Sequence, residues 1–154
     1  MLNEEQQVKE FMQKAGQDCP PLPTVPSLEV RKLRVSLIAE ELMELAESLG
    51  ISLEIMDGIA LVSELPEEKP NLVEAYDAIL DLQVVTIGTG VAMGMQLEEG
   101  WQEVHRSNMS KFIDGYRRED GKWMKGKSFT PPNLLPILNK QAHAAFDQGK
   151  TNES

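Results

Sequence analysis

Apolar residues recur with the spacing of an α-helix in five stretches of this sequence. In the first stretch, Val8, Phe11, Met12 and Ala15 fall on one side of a helix that would end at Gly16. Ser27 is suited to cap the second and longest helix. The five predicted helices are residues 3–16, 27–50, 71–93, 97–112 and 131–146, the last starting at Pro131 or Pro132. The pattern therefore predicts an all-α protein in which four main helices form a bundle.

The spacing changes between the second and third helices. Apolar and polar residues alternate over residues 51–55 and again from Ile59, with Asp57 and Gly58 between the two runs. An Asp-Gly pair flanked by alternating apolar residues is typical of a tight β-turn. We therefore predict a short β-hairpin over residues 51–63. Residues 115–130, rich in glycine and lysine, are predicted to form a loop.

The second predicted helix carries an acidic cluster on its apolar side. A helix turns by about 100° per residue, which places Glu40 and Glu44 on the stripe formed by Leu33 and Leu37, with Glu41 at its edge. Carboxylates on a stripe that faces a core are costly to bury unless a cation lies among them. This arrangement favours a metal site.

The third predicted helix carries a second acidic stripe. Glu74, Asp77 and Asp81 share an arc of about 60°, which continues through Val85 and Gly88. Two such stripes facing each other would gather several carboxylate oxygens around one space. Hard cations such as Mg²⁺ or Mn²⁺ prefer this all-oxygen environment.

The acidic residues also have purely structural explanations. A string of the form EExxE usually marks a solvated helix face. Asn71 and Glu74 stand three residues apart, which is the spacing of a capping box. Two stripes that both align with apolar positions favour the metal site, but Glu74 keeps both explanations.

Charge is unevenly distributed along the chain. The net charge of −10 argues against binding to nucleic acids or anionic membranes. Seven of the 15 Lys and Arg residues fall between Arg106 and Lys127, which gives that segment a charge of +4 and leaves −14 for the rest. An acidic body with one basic segment suits a metal and a polyphosphate, although a solvated basic loop explains the charge equally well.

The fourth predicted helix carries polar residues on its apolar face. The apolar members of that face are Leu97, Trp101, Val104 and Phe112. Asn108 and Lys111 fall on the same face, where they need polar partners. A nucleotide would satisfy them, with Lys111 on phosphate and Asn108 on the base or sugar. A frayed helix end, where both residues are hydrated, is an equally good explanation.

The cysteine count, the length of the apolar runs and the chain length bear on the compartment and the number of domains. Cys19 is the only cysteine, so an intrachain disulfide is impossible and a reducing compartment is indicated. No apolar run approaches the ~20 residues of a membrane span. We expect a cytoplasmic protein with a single domain over residues 1–154.

In chain order, these motifs resemble those of the all-α nucleoside triphosphate pyrophosphohydrolases, the MazG-like superfamily. That superfamily includes phosphoribosyl-ATP pyrophosphohydrolase and dimeric dUTPases. The resemblance rests on EExxE at 40–44, the acidic third helix, EVHRSNMSK at 103–111, GKxxKG at 121–126 and a Pro-Pro pair. It extends from about Phe11 to Leu138 and is closest to small single-domain members, including one with dUTPase-like activity. It implies a MazG-like four-helix bundle.

The family motif, EExxE followed by ExxD, implies roles for the acids. Its metal ligands in the first half correspond to Glu41 and Glu44, with Glu40 assisting, and we take these three as the catalytic residues. The second half fits in two registers. A literal match gives Glu74 and Asp77.

The second register is set by the distance to the His-Arg-Ser-Asn segment. It makes Asp81 the family's aspartate and puts Ala78 where the family often has glutamate. Asp77, on the same face, would then substitute for that glutamate. We favour Asp81 and Asp77 as metal ligands, with Glu74 supporting them.

The resemblance implies an enzyme that uses Mg²⁺, with Mn²⁺ as a substitute. It would cleave between the α- and β-phosphates of a nucleoside triphosphate such as dUTP or a non-standard nucleotide, with Glu40 or Glu44 orienting the attacking water. The expected substrate-binding residues are Asn108, Lys111, Lys122, Lys125 and Lys127. A homodimer or homotetramer is implied. Two alternatives are hydrolysis of phosphoribosyl-ATP or an alarmone, and a non-catalytic regulator that binds nucleotide.

Overall fold

The computed structural model describes residues 3–150, and helices account for 54% of the chain. In this part of the chain the elements, in order, are α1 (Glu4–Lys14), α2 (Leu28–Ser48), β1 (Ile51–Met56), β2 (Ile59–Glu64), α3 (Leu72–Ala92), α4 (Leu97–Ser110), β3 (Tyr116–Arg117), β4 (Trp123–Met124) and α5 (Leu135–Lys150). The predicted all-α class with a short hairpin is confirmed.

The chain divides into two compact units. The first comprises Met1–Cys19 and Val25–Ala92, and the second comprises Pro20–Thr24 and Met93–Ser154. In the first unit α3 packs against both α1 and α2, and α2 also contacts β1. Both acidic clusters therefore belong to the first unit, and the basic segment belongs to the second.

Side-chain caps set the starts of α2 and α3. Ser27 Oγ accepts a hydrogen bond from the backbone N–H of Val30 at 3.3 Å. Asn71 Oδ1 accepts one from the N–H of Glu74 at 3.3 Å, but the N–H of Asn71 donates to the Ser48 carbonyl at 2.9 Å. Only half of the predicted capping box is present, so the cap does not hold the Glu74 carboxylate.

The core of the first unit is small and includes an arginine. Val8, Met12 and Val91 are buried there, and Cys19 packs against them. The Cys19 thiol donates to the Gln17 carbonyl at 3.7 Å. This side of the unit is held by a few well-covered side chains and not by a wide apolar layer.

Arg34 of α2 is buried between α1 and α3. Its Nη2 donates to Gln17 Oε1 at 2.5 Å and contacts Met12 Sδ at 3.5 Å, while its Nε has no hydrogen-bond partner. A Cβ placed on Gly88 of α3 would lie 3.1 Å from Arg34 Nη1. Burial lowers the pKa of the guanidinium, and Cys19 opposes this effect. Gly88 thus makes room for a charged side chain at the α2–α3 contact.

The hairpin between α2 and α3 forms as predicted. β1 and β2 pair antiparallel over their full length, one residue beyond the predicted end. Asp57 and Gly58 occupy the turn with φ of 52° and 77°. Positive φ at both central residues is what a two-residue turn of this kind requires.

Two predictions for the second unit are wrong. The predicted loop over residues 115–130 contains the β3–β4 hairpin, because the Trp123 indole donates to the Lys111 carbonyl at 2.8 Å and its ring packs 4.9 Å from that of Phe112. The last helix begins at Leu135 and not at Pro131 or Pro132. The residues before it are instead bound by side chains of α4.

Among residues 3–150, no single helix is long and apolar enough to cross a membrane. The consecutive helices α3 and α4 meet the length and composition only when they are taken together.

Candidate active site

The face of α2 that packs inward is centred on Glu41. Arg34 and Ser48, seven residues before and after it, are buried, and Glu41 itself is half-buried. The stripe predicted to be inward is more exposed: Leu33 is 47% exposed, and Glu40 and Glu44 are exposed as well. The prediction that this stripe faces inward is therefore wrong, since Glu41, at its edge, occupies the middle of the packed face.

Small residues on α3 allow that helix to pack closely against α2 beside Glu41. Ala75 and Ala78 are the buried positions of the first half of α3, each 5% exposed. Asp77 and Asp81 stand beside them on the exposed margin of the same contact. Ala78, where the family pattern often has glutamate, therefore serves the packing of α3.

Acids of both predicted stripes contribute negative charge around Glu41. Burial raises the pKa of Glu41, and the carboxylates of Glu44, Asp81, Glu40 and Asp77 raise it further. Two of these four groups lie on α2 and two lie on α3. Glu74 is not among them, and its side chain is exposed. The carboxylates that act on Glu41 therefore come from both predicted stripes, and Glu74 is not one of them.

The acidic side chains lie on neighbouring helices but do not form a complete metal-binding site. Within residues 3–150, no three acidic, histidine or cysteine side chains converge closely enough to hold a metal ion. The chemistry of the set still fits a hard cation such as Mg²⁺, since every donor is a carboxylate oxygen. Burial and the surrounding negative charge both raise the pKa of Glu41, and a bound cation would balance that charge.

Glu40 has one further contact on α2. Its Oε1 accepts a hydrogen bond from Ser36 Oγ at 2.9 Å, one helical turn away. This bond orients a carboxylate that is exposed at the edge of the cluster. Glu40 is therefore held at the solvent side of Glu41.

In the second unit, the structure groups three of the predicted substrate-binding residues around Phe129. Lys111 Nζ donates to Asn108 Oδ1 at 2.7 Å. Lys125 Nζ lies 4.3 Å from the centre of the Phe129 ring, and Lys111 Nζ lies 6.0 Å from it. Two ammonium groups and an amide are thus held near one aromatic ring.

Lys122 and Lys127 are placed differently. The backbone of Lys122 closes the β3–β4 turn, and its N–H donates to Asp120 Oδ1 at 3.1 Å. Both side chains are exposed. In the described chain, no hydrogen bond, ion pair or ring contact joins their ammonium groups to the Phe129 group.

The apolar stripe predicted for α4 is not its buried face. Trp101 is 72% exposed and Phe112 is 55% exposed, whereas Ser107 and Ser110 are buried. Ser110 Oγ accepts a hydrogen bond from the N–H of Thr130 at 3.0 Å. The serines of the His-Arg-Ser-Asn region therefore hold the segment that follows the basic loop, while Asn108 stays exposed.

A latch that the sequence reasoning missed lies beside these serines. Arg106 donates twice to Glu103, at 2.8 Å each, and also to Thr130 Oγ1 at 2.6 Å and the Pro131 carbonyl at 3.2 Å. Glu103 also accepts from the N–H of Asn133 at 2.8 Å. The hydrogen bonds from Arg106 and Asn133 lower the pKa of Glu103 to about 2. The i, i+3 spacing of these two charges was the available signal.

A second clamp fixes the basic loop itself. The Asp114 carboxylate accepts from the Ser128 N–H at 3.0 Å and from Ser128 Oγ at 3.0 Å. A Cβ on Gly126 would lie 2.1 Å from Asp114 Oδ1, so only glycine fits there. Hydrogen bonds within the loop therefore hold the backbone that bears its lysines.

Comparison with known proteins adds a family to this geometry. A family model described as phosphoribosyl-ATP pyrophosphohydrolase matches residues 8–108, which include both acidic clusters. That family is part of the MazG-like nucleoside triphosphate pyrophosphohydrolase superfamily, so the resemblance is confirmed. The match supports nucleotide pyrophosphohydrolase activity in general, a hydrolysis of an acid anhydride. No curated protein matches the chain.

Proposed function

The chain belongs to the phosphoribosyl-ATP pyrophosphohydrolase family, and we propose that it is a Mg²⁺-dependent enzyme acting on nucleoside triphosphates. It would hydrolyse the bond between the α- and β-phosphates and release a nucleoside monophosphate and pyrophosphate. The observation that carries this proposal is Glu41, a half-buried carboxylate whose pKa is raised by burial and by four neighbouring carboxylates. Such a site favours a divalent cation and, through it, a polyphosphate.

The proposed metal ligands are Glu41 itself and three of the four acids that raise its pKa, with one more acid of α3 in support. They are Glu41, Glu44, Asp77 and Asp81, with Glu74 as a supporting ligand and Mn²⁺ as a substitute ion. When bound, Mg²⁺ supplies positive charge that offsets the negative charge developing on the phosphate oxygens. Because the five residues come from both α2 and α3, the α2–α3 contact sets their spacing.

The chain's own acids also handle the attacking water. Glu40 or Glu44 would accept a proton from water while its oxygen forms a bond to the α-phosphorus. The bond from that phosphorus to the bridging oxygen breaks, and pyrophosphate leaves with the electron pair. The hydrogen bond from Ser36 orients Glu40 for this role.

The proposed substrate-binding residues carry positive charge in the second unit. Lys111, Lys125 and Asn108 around Phe129 would bind phosphate and nucleoside, with Lys122 and Lys127 adding charge from the same loop. The preferred substrate is dUTP or a non-standard deoxynucleotide. Phosphoribosyl-ATP is the second candidate, because the description of the matched family names it.

Product analysis tests the reaction and the substrate together. The purified protein is incubated with each of the NTPs and dNTPs, dUTP and phosphoribosyl-ATP, with Mg²⁺, with Mn²⁺, or with a chelator. We expect pyrophosphate and a monophosphate in equal amounts, with no turnover after chelation. Release of orthophosphate, or turnover that survives chelation, would contradict the proposal.

We also propose that the protein is a homodimer or homotetramer. Leu28, Val35, Leu42 and Leu49 recur every seven residues along α2 and its C-cap, and they are 49%, 69%, 37% and 46% exposed. A seven-residue apolar repeat is typical of a helix that packs against another helix. Sedimentation at micromolar concentration should give at least a dimer mass, and a monomer there would count against self-association.

A further inference from the structure

The β1–β2 hairpin ends in apolar side chains that stay exposed. Ile55 is 69% exposed, Met56 is 56% and Ile59 is 62%, and these residues flank the turn. Every residue of β2 is exposed. A two-stranded hairpin is marginally stable in water unless one face is covered. The tip of this hairpin therefore has the composition of a contact surface.

A shallow depression with apolar walls lies at the other end of α2. It is lined by Leu28, Arg31, Lys32, Val35 and Ser36. Leu28 and Val35 supply the apolar surface and are 49% and 69% exposed. Arg31 and Lys32 put two positive charges at its rim, and neither is in an ion pair within residues 3–150.

The tip and the depression are complementary in charge as well as in polarity. Glu54 and Asp57 stand next to the apolar residues of the tip. Acids beside an apolar projection match bases beside an apolar depression, and complementary charges of this kind favour one partner and orientation. The two surfaces are thus suited to each other.

The two surfaces lie at opposite ends of α2. From Val35 to its last residue, Ser48, the helix advances roughly 20 Å, at ~1.5 Å per residue. The hairpin begins at the carboxyl end of α2, and its tip is exposed, so it does not fold back onto the depression of its own chain. In a two-fold dimer with antiparallel α2 helices, the hairpin of one copy lies beside the amino end of α2 of the other.

We propose that the hairpin tip of one copy docks into the α2 depression of a second copy, and that the contact occurs twice by symmetry. A two-fold interface is reciprocal, so one complementary pair gives two identical contacts. The inference rests on the proposed self-association and adds the surface through which it occurs. It is independent of the hydrolytic chemistry.

Cysteine cross-linking between two differently labelled chains tests the contact directly. In a Cys19→Ser background, a chain with Ile59→Cys is mixed with a chain with Val35→Cys under oxidised glutathione. The matched control replaces the second chain by one with Phe11→Cys, a residue of α1 that is 62% exposed. We expect the Ile59–Val35 disulfide dimer to form at least tenfold faster than the control dimer. Equal rates would overturn the proposal.

Charge reversal provides a second test that does not depend on cysteine chemistry. Glu54→Arg should weaken the dimer about tenfold in sedimentation, and Arg31→Glu added to it should restore the wild-type dissociation constant. Both positions are exposed, so helical circular dichroism should be unchanged. A dimer that Glu54→Arg leaves unaltered would contradict the docking.

Pyrophosphate release measured on the same samples separates this inference from the proposed function. A wild-type dimer that hydrolyses nucleotide but ignores the hairpin substitutions overturns the docking alone. A dimer that depends on the hairpin but releases no pyrophosphate from any nucleotide supports the docking and overturns the proposed function. A wild-type protein that sediments as a monomer overturns the docking.

Discussion

Glu41 of α2 and Glu103 of α4 are both half-buried glutamates, yet their surroundings are opposite. Glu103 accepts hydrogen bonds from Arg106 and Asn133, which lower its pKa to about 2. Glu41 is desolvated among other carboxylates, which raise its pKa. A charge with protein partners stabilises the fold, whereas a charge surrounded by its own sign indicates a ligand from outside. The acidic residues of α2 and α3 differ from the charged residues of the basic segment in the same way, by whether each charge has a partner of opposite sign in the protein.

The basic segment repeats the satisfied pattern for two of its three arginines but not for its lysines. Arg106 pairs with Glu103, and Arg118 pairs with Asp120. None of the lysines at 111, 122, 125 and 127 is in an ion pair within the described residues. Among the described residues, the positive charge available to a phosphate is therefore carried by the lysines and Arg117, whereas Arg106 and Arg118 hold the frame.

The largest expected effect comes from removing the charge of the unsatisfied glutamate. Glu41→Gln should lower kcat/KM at least ~100-fold, since even indirect partners of a bound metal typically contribute 10–100-fold. The fold should persist, because glutamine has the same shape and removes repulsion. Pyrophosphate release in saturating Mg²⁺ measures the effect. Glu47→Gln, on the same helix, is the control and should turn over normally, and wild-type turnover by Glu41→Gln would refute the site.

A smaller effect is expected from a lysine without an ion pair. Lys111→Met should raise KM about tenfold, the loss of roughly one charge-assisted hydrogen bond, and change kcat less. The alkyl chain that passes Phe129 is largely retained. Steady-state kinetics measure it, with Lys9→Met of α1 as a control of equal charge change. A pure loss of kcat at unchanged KM would move Lys111 out of the binding role.

The satisfied glutamate should instead affect stability. Glu103→Gln should lower Tm by a few degrees, without a change in the metal requirement, because the Arg106 latch on Thr130 and Pro131 loses its charged partner. The folded-state pKa is lower than that of a free glutamate, about 4.3, so this stabilisation is complete above that value and is lost as the pH falls through about 2. Thermal unfolding of both proteins should therefore converge in strong acid, and a constant difference would count against the assignment.

The smallest expected effect is on stability at Glu41, where the dependence on pH is opposite to that at Glu103. Its folded-state pKa is raised, so its contribution to stability is present below the ordinary glutamate pKa and is lost as the pH rises through the raised value. Without divalent ions, Glu41→Gln should gain stability relative to wild type as the pH rises from about 4 to 7. Added Mg²⁺ should reduce this difference by stabilising only the wild type. Parallel stability curves would show that the acids do not interact.

Local signals in the sequence predicted the elements well. The Asp57-Gly58 pair predicted the first hairpin, and Ser27 predicted the start of α2, because turns and caps depend on the residues that form them. Helix periodicity also placed both acidic clusters on α2 and α3. The β3–β4 hairpin was missed because Trp123 reaches back to Lys111, a contact twelve residues away that no local pattern shows.

The orientation of the helices was less predictable. Apolar residues of α2 occupy more than one stripe, including exposed Val35 and Leu42, so periodicity alone did not choose the inward face. The small residues of α3 determine which face of α2 is inward. As a result, Glu41 faces inward, and Glu40 and Glu44 do not. On α4, helical spacing placed Trp101 on the apolar face, but its side chain is exposed.

Cys19 gives the protein a reporter of its own motions. It is the chain's only thiol, it is partly buried, and it packs against the core where α1 meets α3. A thiol-reactive dye can label it at full rate only when that contact opens, so the labelling rate measures the free energy of a local opening. Because one site gives one kinetic phase, the same reaction would show whether Mg²⁺ and nucleotide, bound at a distance from Cys19, tighten the whole first unit.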